Sequence, residues 1–201
     1  MAAVGKGTVY LASRSPRRAD LLRLLGVKFR VVEVDVDETP ITQESPENHV
    51  RRTALAKAAA GRAALPEDAV VLAADTVVSV DGLIFGKPRD RAHATEMLTA
   101  LSGCWHVVLT AVVLGWETDT LCRVVRCRVQ FAILEAQTIE AYWQTGEPAD
   151  KAGAYGIQGI GGALVKQIEG SYSAVVGLPL YETSTLLKEA GVEHALSGAR
   201  E

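Results

Sequence analysis

The run Val70-Val71-Leu72-Ala73-Ala74-Asp75-Thr76-Val77-Val78-Ser79-Val80 is the most apolar stretch of the chain and constrains its fold more than any other segment. It is rich in β-branched residues and apolar at both parities, which reads as a buried strand. Asp81-Gly82 follows, a strong hairpin signal that turns the chain back along Leu83 to Phe85. A carboxylate inside such a strand is the anomaly. Burying Asp75 ionised costs several kcal/mol unless cations, a metal or hydrogen-bond donors compensate it. Asp75 therefore reads as opening into a polar cleft, against the plainer reading of a structural Asp satisfied by backbone N–H groups. Thr76 on a regular strand faces away from Asp75, so if both serve one site the strand is expected to end or bulge there.

The flanking segments alternate between helix and strand. Thr8 to Ala12 reads as a short strand, and Ser15-Pro16 opens a helix that carries Leu21, Leu22, Leu24 and Leu25 and stops at Gly26. Phe29 to Asp37 alternates Val32, Val34 and Val36 with acids, the pattern of a half-buried strand. Ser45-Pro46 repeats the cap and opens an alanine-rich helix to about Ala64. A helix from about Arg91 to Leu101, an antiparallel pair at Trp105–Trp116 and Leu121–Leu134, a helix at Thr138–Gln144, a glycine-rich region over Gly146–Gly162, a strand at Ala163–Ile168 and a last helix at Pro179–Ala190 complete the reading. Because hairpins intrude on the alternation, an α/β fold with a mixed sheet is expected. No linker or repeat interrupts the 201 residues, so a single domain, 1–201, is expected.

Composition decides which partners are plausible. With 21 Lys+Arg against 24 Asp+Glu the net charge is -3, which argues against DNA, RNA or anionic lipid held by a bulk basic surface. Any anion must be held by a few placed cations. Ser13-Arg14-Ser15-Pro16-Arg17-Arg18 is the best candidate: the helix start leaves N–H groups free, and two arginines in its first turn oppose the dipole. A polyphosphate resolves that conflict, although a solvated basic patch is the alternative. Lys57 and Lys87, each taken alone, read as solvated charges. Gly86-Lys87 fails as a P-loop, because Pro88 replaces the required Ser or Thr, and the glycines from Gly153 to Gly162 do not match a dinucleotide fingerprint. They read as tight turns around Gln158.

The three cysteines, Cys104, Cys122 and Cys127, form no C-x-x-C pair and read as small core residues. His49, His93, His106 and His194 are scattered without metal-ligand or triad spacing and read as surface or core residues. Met1 to Thr8 lacks the charged start and apolar run of a signal peptide, and no apolar stretch is long enough to span a bilayer as a helix, so a cytosolic, non-membrane protein is expected.

Taken together, Ser13-Arg14-Ser15-Pro16-Arg17-Arg18, Ala74-Asp75-Thr76, Gly86-Lys87-Pro88, Leu101-Ser102-Gly103, Asp150 through Gly159, and Val176-Gly177-Leu178-Pro179 resemble the Maf family of nucleoside triphosphate pyrophosphatases, in the family's order and from about Val9 to about Leu187. The resemblance implies the fold of inosine triphosphate pyrophosphatases: an elongated mixed sheet flanked by helices, with a cleft between two lobes. It implies hydrolysis of a nucleoside triphosphate between the α and β phosphates with a divalent metal, Mg²⁺ or Mn²⁺. It also implies Asp75 as proton acceptor and Ser13, Arg18, Glu38, Lys57 and Lys87 as further active-site residues. The subgroup most like this chain acts on dTTP and UTP, with specificity positions at Arg17, Thr76 and Gln158, and the family often forms homodimers. Ala74 departs from the Gly many members carry, and the neighbouring Asp35 and Asp37 leave the register of Glu38 open.

The residues themselves agree with phosphoryl chemistry, which asks a protein mainly to position groups and stabilise charge. Arg17 or Arg18, Lys57 and Lys87 can supply cations. Asp75 and Glu38 can hold a hard cation through oxygen, with Asp75 alternatively or additionally taking the proton from water. The Gln158 amide offers a donor and an acceptor to a uracil or thymine edge. The same reaction on another or modified nucleotide, and a nucleotide-binding regulator of septum formation, are the alternatives.

Overall fold

In the computed structural model, which describes residues 8–197, the strands are β1 (Val9–Ala12), β2 (Phe29–Val31), β3 (Val70–Val80), β4 (Leu83–Phe85), β5 (Trp105–Trp116), β6 (Asp119–Phe131) and β7 (Val165–Glu169). The helices are α1 (Pro16–Leu24), α2 (Pro46–Ala63), α3 (Arg91–Leu101), α4 (Ala136–Gln144), α5 (Tyr172–Val176) and α6 (Leu180–Glu189), with three short 3-10 turns between Glu147 and Leu164. The segment read for a targeting signal, apart from Thr8, lies outside the described residues. No helix among the described residues is long and apolar enough to cross a membrane.

All seven strands join one mixed sheet in the order β2-β1-β3-β5-β6-β7, with β4 beside β3. β1 pairs parallel with β2 and β3, and the other pairs are antiparallel. The Asp81-Gly82 turn has positive φ at both residues, 49° and 81°, as a tight two-residue hairpin requires. β1 and β4 share one edge of β3 and do not meet: β1 pairing ends at Ala12↔Ala73, and β4 pairing begins at Val78↔Phe85. Between them residues 74–77 have a strand neighbour only on the β5 side. The expected bulge at Asp75 and Thr76 is therefore absent. The β3–β5 register runs unbroken through both residues, and the open edge lets one cleft reach both faces of the strand.

Side-chain parity sorts the core. Val71, Ala73 and Val77 pack under α2 with Val50, Ala54 and Ala58. Val70, Leu72 and Ala74 face the other way, onto Leu21 and Leu22 of α1 and Leu186 and Leu187 of α6. Further along that second face, Val78 joins α3 and α4 through Leu98, Leu101 and Ile139. α2 lies close to the sheet because its inner face is small: a Cβ on Gly61 would sit 3.0 Å from Val71 and 3.1 Å from Ala12.

Several expectations need correction. The strand read over Phe29 to Asp37 stops at Val31; Val32, Val34 and Val36 keep the half-buried alternation but have no partner strand. The second member of the antiparallel pair is shifted towards its turn, and the five-residue α5, capped by Ser171 accepting from the Ala174 N–H at 3.3 Å, was not expected. Of the cysteines only Cys127 is buried; Cys122 is half-buried, with the two in different clusters, and Cys104 is exposed.

Candidate active site

Asp75 faces α2, and α2 answers with a lysine. Lys57 Nζ lies 2.6 Å from Asp75 Oδ1 and 2.8 Å from Glu38 Oε1, so one ammonium bridges two carboxylates. Lys57 and Asp75 are both buried, at 8% and 5% exposure, which corrects the reading of Lys57 as a solvated charge; Lys87 is exposed, as read. Glu38, and not Asp35 or Asp37, is the acid on Lys57. Burial works against the Glu38 charge, but the hydrogen bond and charge of Lys57 outweigh it and hold its carboxyl below the ordinary range.

The segment carrying Glu38 is anchored from α2. Arg52 donates to both oxygens of Glu44 at 2.7 and 2.9 Å and to the Thr39 carbonyl at 3.0 Å. The Arg52 hydrogen bond is the main reason the Glu44 carboxyl is pushed down to about 2. Glu44 also touches buried His49 at 3.1 Å. His49 and Lys57 are eight residues apart and therefore on one helix face, and both line the same cleft.

On the opposite face of β3, Thr76 meets α1. Arg18 is fixed on three sides: Nε donates to the Gly177 carbonyl at 2.9 Å, NH1 to Ser13 Oγ at 3.2 Å and NH2 to Thr76 Oγ1 at 3.1 Å. Gly177 has φ 127°, so the glycine of Val176-Gly177-Leu178-Pro179 takes a backbone conformation that favours glycine where its carbonyl meets the guanidinium. Burial lowers the pKa of Arg18 while Asp75 and Glu38 support its charge. Ser15 occupies the N-cap position without a side-chain cap bond, so the first N–H groups of α1 remain available.

Gln158 is carried by the glycine-rich loop, which hangs on one carboxylate. Glu147 accepts from the Tyr142 hydroxyl at 2.7 Å and from the N–H groups of Ile160 and Gly161, each at 2.9 Å. Burial works against the Glu147 charge, yet these donors prevail and hold its carboxyl below the ordinary range. The loop passes too close for side chains: a Cβ on Gly161 would lie 2.8 Å from the Gly156 carbonyl. Nearby, His106 Nε2 is 2.9 Å from the Tyr155 hydroxyl, and burial pushes the imidazole down to about 4.

Ser13, Arg17, Arg18, Glu38, Lys57, Asp75, Thr76, Lys87 and Gln158 all line one cleft of about 870 Å³, so the structure brings together every site residue read from the sequence. Seven Lys or Arg residues line it against three carboxylates, an excess of four positive charges in a chain of net -3. The sequence reading missed Asp150, which pairs with Arg17 at 3.3 Å and Lys151 at 2.6 Å. It also missed His49, His93 and Arg89 on the walls. Asp150 and Lys151 lay inside a quoted motif, and helical spacing from Lys57 was the available signal for His49.

Among the described residues no group of three or more His, Cys, Asp or Glu forms a closed metal cage. Asp75 and Glu38 nevertheless suit Mg²⁺ or Mn²⁺, since Mg²⁺ is usually held by one or two carboxylates completed by substrate phosphates and water.

The family model described as Maf-like protein matches residues 8–190. The dTTP/UTP pyrophosphatase of Methylobacillus flagellatus is 51% identical over 185 residues, covering 92% of this chain and 93% of its own. The dTTP/UTP pyrophosphatase of Salmonella typhimurium is 53% identical over 180 residues, covering 90% and 91%. A solved nucleoside-triphosphatase / dITP/XTP pyrophosphatase from Mycobacterium abscessus aligns over 91% of this chain and 95% of its own at 19% identity, with a TM-score of 0.47.

Proposed function

The chain belongs to the Maf-like protein family, and from that premise we propose that it hydrolyses dTTP and UTP to the monophosphate and pyrophosphate. The observation that carries this reading is the convergence of nine expected site residues, from both faces of β3 and from the loops, on one cationic cleft around a buried carboxylate.

In this reading the triphosphate lies against Arg17, Arg18, Lys87 and the open start of α1, which neutralise its charge. Asp75 gives Oδ1 to Lys57, leaving Oδ2 to orient a water and accept its proton. The water oxygen bonds to the α phosphorus while the bond to the bridging oxygen breaks, and pyrophosphate leaves with that electron pair. Lys57 fixes the spacing of Asp75 and Glu38 and supports the Glu38 charge. A divalent cation bound by Asp75 and Glu38 would add charge stabilisation on the phosphoryl oxygens. Gln158 faces the base from the glycine loop, where its amide matches the donor and acceptor edge of uracil or thymine. A methyl group is worth only about 1–3 kcal/mol in a pocket, so uracil and thymine are weakly separated.

A cytoplasmic location and a homodimer belong to the same proposal. The latter is supported by the outer edge of β6, where β7 pairs only from Arg128 on; size-exclusion chromatography returning a monomer removes it. The central test measures pyrophosphate released from dTTP and UTP with Mg²⁺ or Mn²⁺. Asp75→Asn is expected to keep nucleotide binding and lose turnover by at least about 10²-fold, the low end for a general base. Absence of pyrophosphate release by the wild type overturns the function, and unchanged turnover in Asp75→Asn removes that residue from the reaction.

A further inference from the structure

Hydrogen-bond direction around Thr76 is fixed by a buried residue that does not line the cleft. Thr110 Oγ1, fully buried on β5, lies 2.7 Å from the Ala174 carbonyl oxygen, which can only accept, so the single Thr110 proton points there. Thr110 Oγ1 is also 3.0 Å from Thr76 Oγ1. With the Thr110 proton already used, Thr76 must be the donor in that contact. Thr76 Oγ1 in turn accepts from Arg18 at 3.1 Å. A hydroxyl has one proton and two lone pairs. Thr76, half-buried on the cleft wall, therefore has one lone pair left and no proton to give.

Ser13 is the mirror case. Its Oγ accepts from Arg18 NH1 and from the Ser15 N–H, each at 3.2 Å, so both lone pairs are occupied and its proton is free. Arg18 thus separates a donor hydroxyl from an acceptor hydroxyl within one cleft. A phosphate oxygen is welcome at Ser13 and repelled at Thr76.

We propose that Thr110 is a positioning residue that holds Thr76 as an obligate acceptor, so that Thr76 selects nucleotides offering an N–H or O–H donor at that point of the nucleoside. The inference rests on the proposed pyrimidine triphosphate reading and deepens it. In UTP and dTTP the candidate donors are the ring N3–H, which cytosine lacks, and the sugar 3′-hydroxyl.

The test compares UTP, CTP and 3′-O-methyl-UTP as substrates and, by calorimetry, as ligands; cytosine N3 and the ether oxygen each put an acceptor where UTP has a donor. Proteins are the wild type, Thr110→Val and Thr110→Ser. The wild type is expected to disfavour the analogue lacking the donor by about tenfold, the worth of one hydrogen bond. Thr110→Val, nearly the same shape, frees Thr76 to donate and should abolish that penalty, while Thr110→Ser restores it. A penalty for CTP assigns the donor to the base, and a penalty for the 3′-O-methyl analogue assigns it to the sugar; either supports the proposal only if Thr110→Val removes it. A penalty unchanged in Thr110→Val overturns the proposal. If that variant does not fold, the wild type decides: equal binding of all three nucleotides overturns it. Discrimination in binding without pyrophosphate release instead overturns the proposed reaction and leaves the Thr76 polarity standing.

Discussion

Replacing Lys57 by Met tests the centre of the site, because it keeps the stem and removes the ammonium between Asp75 and Glu38. The two contacts are similar in length, 2.6 and 2.8 Å, but unequal in environment. Lys57 and Asp75 have side chains 10% and 7% exposed, whereas Glu38 is 50% exposed. Stranding one member of a buried pair costs roughly 3–5 kcal/mol, while an exposed pair is worth at most about 1 kcal/mol. At about 2–4 °C per kcal/mol for a domain of this size, Lys57→Met should lower the melting midpoint by roughly 6–20 °C. Glu38→Gln should lower it by no more than about 4 °C by the same conversion. Adding Asp75→Asn to Lys57→Met removes the stranded charge and should recover part of the loss, with a coupling of up to about 3 kcal/mol. Scanning calorimetry of the nucleotide-free wild type, Lys57→Met, Glu38→Gln, Asp75→Asn and the double variant reads the five midpoints that are needed. If Lys57→Met melts within about 2 °C of wild type, under about 1 kcal/mol on the same scale, or if Glu38→Gln costs as much as Lys57→Met, the electrostatic reading of the Lys57, Asp75 and Glu38 cluster is wrong.

Two further perturbations probe the supports behind the cleft walls. Burial holds the His106 imidazole down to about 4, below its unfolded value of about 6.5, so the folded state resists protonation that the unfolded chain accepts. The stability tied to neutral His106 is complete above pH about 6.5 and falls by about 3 kcal/mol as pH drops to about 4; denaturant unfolding across that window should show the excess loss in wild type and not in His106→Phe, and parallel curves refute it. Glu147→Gln leaves one of three donors facing an amide N–H, so the loop carrying Gln158 should loosen. The expected result is a KM about tenfold higher with kcat nearly unchanged, and a fall in kcat alone counts against the anchoring role.

Local signals carried most of the element limits, and non-local ones did not. The expected limits of β3 and α3, the Ser45-Pro46 opening of α2 and the Asp81-Gly82 turn match because each rests on a few adjacent residues. β2 failed differently: alternation at Val32, Val34 and Val36 reports half-burial correctly, but a ladder needs a partner, and β1 ends too soon to supply one. α5 has only five residues, too few for a helical period to show. The candidate site was legible as motifs and not as geometry. Lys57 shares the inward face of α2 with Val50, Thr53 and Gly61, but alanines all round that helix hide the face, and its charge partners come from Asp75 and from a segment pinned by Arg52 and Glu44.

The open edge of β3 explains why the chemistry collects where it does. A strand interior normally offers a cleft only one face, and Asp75 and Thr76 point to opposite ones. Because β1 ends opposite Ala73 and β4 pairs only from Val78 on, the four β3 residues between are reached from the side. α2 then supplies Lys57 to one face and α1 supplies Arg18 to the other. Both cations are therefore held by the fold before any anion arrives, and the remaining arginines and lysines need only rim the opening. That arrangement concentrates positive charge in the cleft and leaves the rest of the chain more acidic than its net -3 suggests.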